Sequence, residues 1–408
     1  MDQPGTTTPH ADATAVIGAT MEFEPDVMDL LVGALRRGVR HELPAVGTDT
    51  LLGELAMGDT DAGAAIAPGM RKAGSLSGMI SGRAGRGWVS DDEAYDEPVA
   101  AGAEADGVEV EAAWREAGWR FGLGSRGPAS QSPVLPGMTG AMRGCLLLAL
   151  RSARAEGTIS VRCRHVARAL LDLPGSRARE ALLLQKLDTA AAATKLDALD
   201  ASAAARTEGP ESRGVALLRR AGTLGRSGNR LTRALTSWTS GTSVNGSPLL
   251  FAVSVEAVRQ AVRCGRAAAE PVDLLLGILA LDRALSVAGH SLPRSLVDAN
   301  AAAALMRRHG VRQDSLVSSA SVIPSAVVPD GDGVRLSAAA DRIVAVARLS
   351  AAEHGSPTVG TLHLLSALLD EPTADADAGA GGAIVRLLAA DQVDVAALRA
   401  ELSLRLGA

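Results

Sequence analysis

The side chains able to do chemistry are few and scattered. Seven histidines and three cysteines (Cys145, Cys163, Cys264) occur in 408 residues. None falls at C-x-x-C or H-E-x-x-H spacing, so neither a zinc site nor a metalloprotease pair is spelled out. No G-x-x-x-x-G-K-[ST] loop is present to cradle phosphates, and no G-x-S-x-G elbow to present a nucleophile. His41 and His354 each follow a helical stretch, where a cation near free carbonyls is favourable.

Charge is uneven along the chain. From Asp91 to Glu111 there are nine acids and no base, the composition of a solvated linker. From Ala201 to Gly246 the balance reverses: Arg206, Arg213, Arg219, Arg220, Arg226, Arg230 and Arg233 stand against two glutamates. Such a stretch can meet nucleic-acid phosphates. Its simpler reading is an exposed linker, partly helical over VALLRRAG and attracted to the acidic run.

The elements that position these groups are clearest near the C-terminus. Leu336, Ala340, Ile343, Val344, Ala347 and Ala351 recur at helical spacing and predict one amphipathic helix. Gly355, Ser356 and Pro357 break it. Thr361 is then expected to cap a second helix whose apolar face is Leu364, Leu365, Leu368 and Leu369.

The same unit recurs near the N-terminus. With Val46-Gly47-Thr48 laid on Val359-Gly360-Thr361, eight of the fifteen positions from His41 to Leu55 are identical to those from His354 to Leu368. Upstream, Phe23, Val27, Leu30, Leu31 and Ala34 carry the first stripe. A third copy starts at Met138, with Met142, Cys145, Leu146, Ala149 and Ala153, then Val161, Cys163, His165 and Leu170. A fourth, with a shorter turn, runs from Val255 to Asp282. Self-similarity of this kind is the mark of a repeat architecture.

This unit resembles the Clp N-terminal repeat, found in tandem at the front of Clp-family protein-unfolding ATPases. The likeness rests on the helical stripe, the turn, and the Val-Gly-Thr followed by a leucine-rich helix. Phe23–Leu55 and Leu336–Leu369 follow the pattern without a gap, with Asp49-Thr50 and Leu362-His363 in the Glu-His places. The third copy keeps Thr139 and His165, and the fourth keeps LLLGIL after Asp273. The resemblance implies an all-α protein of two helical modules, each a pseudo-twofold pair of four-helix repeats, joined by flexible linkers.

It also implies function and site. Family modules bind adaptor proteins and, in some members, phosphoarginine-bearing proteins, through a Thr after the first Phe and the Glu of Gly-Thr-Glu-His. Here the Thr place holds Glu24, Thr139 and Ser337, and the Glu place holds Asp49, Arg164, Val272 and Leu362. No repeat keeps both, and Arg164 would repel a guanidinium, which argues against phosphoarginine. Glu24, Asp49, Thr139, Arg164 and Ser337 are the candidate partner-binding residues, expected to line a surface groove that is polar in the first module and more apolar in the second. Cys163 replaces the capping Thr and reads as a buried thiol.

The ATPase that follows these repeats in the family has no counterpart here. The implied role is a non-catalytic adaptor, regulator or decoy in Clp-dependent proteolysis. Its partner would be a Clp ATPase, its adaptors or its substrates, with a small peptide-like ligand a further candidate. A nucleic-acid-associated protein using the Arg-rich stretch is the alternative.

Composition agrees with helix: the chain is 47% hydrophobic but 2% aromatic, with three phenylalanines and one tyrosine. A net charge of −5 gives no general attraction to nucleic acid or membrane. No cofactor or metal is expected. With no 18-residue apolar run and unpaired thiol spacing, a cytoplasmic location is expected. Residues 1–20 read as a disordered tail, 21–80 as repeat one, and 81–132 as the acidic linker with an aromatic patch at Trp114, Trp119 and Phe121 that docks on a module or, as the alternative, marks a partner-binding segment. Residues 133–200 read as repeat two, 201–246 as the Arg-rich linker, 247–320 as a degenerate repeat three, and 334–408 as repeat four.

Overall fold

Apolar residues at helical spacing become buried helix faces over most of the chain, and the only strands among the described residues are two residues long. The computed structural model describes residues 22–70, 74–83, 86–95, 103–124, 134–203, 209–224, 247–321, 333–371 and 382–407. The fold is all-α. The tail over 1–20, and Arg206, Arg226, Arg230 and Arg233 of the Arg-rich stretch, lie outside the described residues.

The N-terminal part comprises β1 (Glu22–Phe23), α1 (Pro25–Arg40), β2 (Ala45–Val46), α2 (Thr48–Met57), α3 (Asp61–Ile66), α4 (Ser75–Arg83) and α5 (Ala103–Gly124). It continues through β3 (Gly137–Met138), α6 (Gly140–Ala155), β4 (Ser160–Val161), α7 (Cys163–Asp172), α8 (Arg177–Leu184) and α9 (Thr189–Ala203). One apolar cluster runs through it, from Phe23, Leu31 and Leu51 to Leu146, Leu170 and Leu196. Each such leucine taken out of water contributes about 1.5–3 kcal/mol.

The C-terminal part comprises α10 (Arg213–Arg220), α11 (Pro248–Arg263), β5 (Ala268–Ala269), α12 (Pro271–Val287), α13 (Arg294–Val297), a 3₁₀ turn (Asp298–Asn300), α14 (Ala302–Arg308) and α15 (Gln313–Ser321). Then come β6 (Arg335–Leu336), α16 (Ala338–Glu353), α17 (Thr361–Leu369), α18 (Ala383–Ala390) and α19 (Val395–Gly407). A second apolar cluster joins Val215 and Leu218 to Leu275, Leu365 and Leu402.

The strands are short parallel clasps between distant stretches. Glu22–Phe23 lies beside Ser160–Val161, and Ala45–Val46 beside Gly137–Met138. The two stretches of the first core thus exchange strands reciprocally. In the second core Ala268–Ala269 lies beside Arg335–Leu336.

Two elements depart from the sequence expectation. Residues 81–132 were expected to be a solvated linker, yet Ala103–Gly124 form a 22-residue helix packed on α1, α6 and α11. The acids that looked unpaired in sequence find arginines from elsewhere: Asp106 meets Arg154 at 2.6 Å, Glu111 meets Arg143 at 3.3 Å, and Glu109 meets Arg263 at 2.5 Å. Of the aromatic patch, Trp114 packs against the first core. The Arg-rich stretch contains α10 where a helix over VALLRRAG was expected, but that helix buries Val215 and Leu218 rather than lying exposed, and Arg219 pairs with Glu211 at 3.0 Å.

The second departure concerns the flexible join expected between the halves. Glu22, 1% exposed, accepts from Arg259 (2.7 Å), Arg283 (2.5 Å), Gln260 (3.2 Å) and Gln313 (3.0 Å). Glu116 of α5 accepts from Arg120 at 2.6 Å, from Arg263 at 3.0 Å and from Arg259 at 3.2 Å. Burial pushes the Glu116 carboxyl up, but the guanidiniums of Arg259, Arg120 and Arg263 overcome that and hold it at about 2. These paired charges hold β1 and α5 against α11 and α12, and the Gln313 amide adds a hydrogen bond from α15. Among the described residues no helix is long and apolar enough to cross a membrane.

Candidate functional site: a junction of helix starts

The sequence motif Val-Gly-Thr turns out to join helices rather than to cap one. Thr48 and Thr361 are each the first residue of their helix, not the residue before it. The Thr48 Oγ accepts the Ala178 N–H of α8 at 3.0 Å, and the Thr361 Oγ accepts the Ala302 N–H of α14 at 3.4 Å. Each threonine therefore satisfies the free first turn of a neighbouring helix. The expected own-helix cap at Thr361 is corrected accordingly.

In α7 and α17 the third residue of the helix caps its start. His165 Nδ1 accepts the Arg162 N–H at 2.8 Å, and His363 Nδ1 accepts the Gly360 N–H at 3.1 Å. Burial lowers the pKa of both imidazoles, which keeps the accepting nitrogen neutral.

The helix-start donors of the first core converge on Asp92, which is fully buried. Its carboxylate accepts the Thr48 N–H at 2.7 Å, the Thr48 hydroxyl at 2.9 Å and the Arg177 N–H at 2.8 Å. Its backbone carbonyl accepts the Ala141 N–H of α6 at 2.9 Å. Asp92 therefore draws on the starts of α2, α6 and α8 at once, an anion at three positive helix ends. In the second core the equivalent acceptor is Asn300 Oδ1, which takes the Thr361 N–H at 2.9 Å.

Asp49 stands beside this junction, 1% exposed. Among the described residues no side chain donates to its two oxygens. Burial, and next the nearby Asp92 carboxylate, raise its pKa to about 6, against Arg177 and the backbone N–H groups of Thr50 and Asp49. A Cβ placed on Gly47 would lie 2.6 Å from Asp49 Oδ1, 2.8 Å from Asp92 Oδ2 and 3.2 Å from an Arg177 guanidinium nitrogen. Glycine is what lets the three charged groups close in on the turn.

The five residues expected to line an open groove are distributed otherwise. Glu24, 1% exposed, lies at the β1–β4 clasp, where it accepts from Ser160 Oγ at 2.5 Å and Arg162 Nε at 3.0 Å. Burial and the neighbouring Asp26 raise its pKa. Thr139, fully buried, caps α6 by accepting the Met142 N–H at 3.2 Å, next to the β2–β3 clasp. Ser337 caps α16 through the Ala340 N–H at 3.2 Å and donates to Glu270 at 2.9 Å. Arg164 pairs with Glu156 and borders a polar hollow of about 240 Å³ that His165, Arg168 and Asp197 also line.

Three of the first-core residues are thus split between two clasps, Glu24 at one and Asp49 with Thr139 at the other, and are buried rather than displayed, while Arg164 is half-buried at the hollow. Asp49 does not point outward as expected. The thiols of Cys145 and Cys163 are buried, and burial raises both pKa values, in Cys163 with help from Asp26. Among the described residues no group of three or more His, Cys, Asp or Glu could hold a metal ion.

Sequence reading missed Asp92, Tyr95, Arg177 and Asn300. The acidic run hides Asp92 among eight other acids, and nothing periodic marks it. One signal was present: Gly144 sits inside a helix, where glycine is unfavourable by about 1 kcal/mol relative to alanine, four residues after Gly140 at the helix start. Neither a family model, nor a curated protein, nor a solved structure matches this chain.

Proposed function

We propose that this chain is a non-catalytic protein-binding protein made of two modules related to the N-terminal domain of Clp unfoldases. It acts in the cytoplasm as an adaptor, regulator or decoy in Clp-dependent proteolysis, without a cofactor. Its partner is a Clp ATPase or one of that ATPase's adaptors or substrates. The observation that carries this reading is the reciprocal exchange of β1 with β4 and β2 with β3. The exchange joins the two repeat-bearing stretches that resemble the family and gathers their helix starts at two clasps. Free N–H groups gathered at helix starts suit the binding of a carboxylate-bearing chain segment, which supports a binding role.

The test adds the purified chain to a purified Clp unfoldase–protease of the same cell while it degrades a reporter substrate. A saturable change in degradation rate, with capture of the unfoldase that survives nuclease, is the expected result. No change in rate together with nuclease-sensitive capture would contradict it.

A further inference from the structure

We infer that residues 86–95 are a detachable internal ligand of the first core. The junction they fill is then a docking site for a protein segment presenting a carboxylate and, three residues later, an aromatic ring. The inference rests on the reading of this core as a partner-binding module, and it names what that module would recognise.

Three observations carry it. First, the segment is held as a ligand is held. Asp92 puts its carboxylate on the starts of α2 and α8 and its carbonyl on the start of α6. Upstream, Glu180 of α8 accepts the backbone N–H groups of Val89 (3.0 Å) and Ser90 (2.8 Å). Main-chain groups and a single carboxylate account for these bonds, a mode of recognition that another extended segment can reproduce.

Second, a slot exists for its ring. A Cβ on Gly144 would lie 2.5 Å from Tyr95 Cε1, and one on Gly140 would lie 2.6 Å from the Tyr95 carbonyl oxygen. The missing side chains on one face of α6 are what admit Tyr95. Asp92 at the helix starts and Tyr95 in the slot define the spacing a competitor must match.

Third, the helices that frame the junction also hold one another directly, with Trp88 and Tyr95 of the segment packing against the same core as partly buried neighbours. α2 packs on both α6 and α8, through a cluster that includes Leu51, Leu52, Leu146 and Leu182. In the second core the corresponding acceptor, Asn300, lies two residues before α14 and belongs to the framework itself. Asp92 instead arrives on a separate stretch between α4 and α5. The like charge of buried Asp49 beside Asp92 further weakens the hold of the internal ligand.

The experiment uses a labelled synthetic peptide of residues 86–95 (RGWVSDDEAY) and the full-length chain, wild type and Asp92→Ala/Tyr95→Ala. The peptide should bind the double variant more tightly than wild type by about tenfold or more, since a site occupied in cis is discounted by its free fraction. A peptide carrying the Asp92→Ala change should not bind the double variant. Equal affinity for both proteins overturns the inference, as does no binding to a double variant with wild-type helical circular dichroism. Loss of helical structure in the double variant also overturns it, because a segment the fold cannot lose is no ligand. A failed peptide titration leaves the unfoldase assay untouched, so the two readings fall separately.

Discussion

The two cores close the same joint in different ways. In each, a threonine at the start of one helix accepts an N–H from a neighbouring helix start, and its own N–H needs an acceptor. The second core uses a neutral amide, Asn300, from the turn leading into α14. The first uses a carboxylate, Asp92, carried in on a distant stretch and placed beside a second buried carboxylate, Asp49. A joint closed by its own framework is permanent. A joint closed by an added charge against a like charge can open and can respond to pH.

The largest effect should come where the two cores meet. Arg259→Ala leaves Glu22, Glu116 and Glu256 short of a buried partner. It should destabilise the chain by about 3–5 kcal/mol and split a single denaturant transition into two, one per core. The same cluster sets acid behaviour. Glu116 has a folded pKa of about 2 against an ordinary 4.5. Its contribution is present above about 4.5 and is lost as pH falls toward 2, so acid should uncouple the cores first.

Asp49 has the opposite sign. Its folded pKa is raised from 3.8 to about 6, so the fold holds the proton better than the unfolded chain does. That contribution is complete below about 4 and is lost as pH rises through 6, on the order of 3 kcal/mol in all. Glu109, raised to about 7 chiefly by burial, adds a slope of the same sign at the ion cluster. The readout is therefore the difference between wild type and Asp49→Asn: denaturation from pH 4 to 7 should show a flatter slope in the variant. An unchanged slope would remove Asp49 from the account.

Two glycine substitutions sharpen the contrast further. A Cβ on Gly277 of α12 would lie 2.7 Å from the Val253 carbonyl oxygen and 3.0 Å from the Ala257 nitrogen, backbone that cannot withdraw. Gly277→Ala should cost about 1–3 kcal/mol in thermal or chemical denaturation. For Gly144→Ala, the three atoms nearest the added Cβ all belong to the Tyr95 ring. Displacing that ring is partly offset by the ~1 kcal/mol gained on replacing a helical glycine, so global stability should barely change. Proteolysis within 86–95 should become faster all the same.

Much of this fold could be read from local pattern. The stripe from Ala340 to Ala351 is the buried face of α16, and Gly355 takes the positive φ of 62° that its turn requires. Asp394 caps the last helix through the Ala397 N–H at 2.9 Å. What escaped was whatever depends on a distant partner. Asp106, Glu109 and Glu111 look like a solvated run until Arg154, Arg263 and Arg143 are brought to them. Thr48 and Thr361 carry the residue type of a cap, but the helix each one serves is set by tertiary packing. Asp92 was the hardest to see, since its burial depends on three helix starts meeting, and spacing along one chain does not encode that.

The most direct measurement of the contrast is native-state hydrogen exchange on the full-length chain, following amides of residues 88–95 and of 300–304 across low denaturant. The account predicts that the first set exchanges through a local opening whose free energy is insensitive to denaturant and well below that of global unfolding. The second set should exchange only with unfolding of its core. Equal protection of the two sets, with the same denaturant dependence, would mean that Asp92 is as much a part of the framework as Asn300, and would contradict the account.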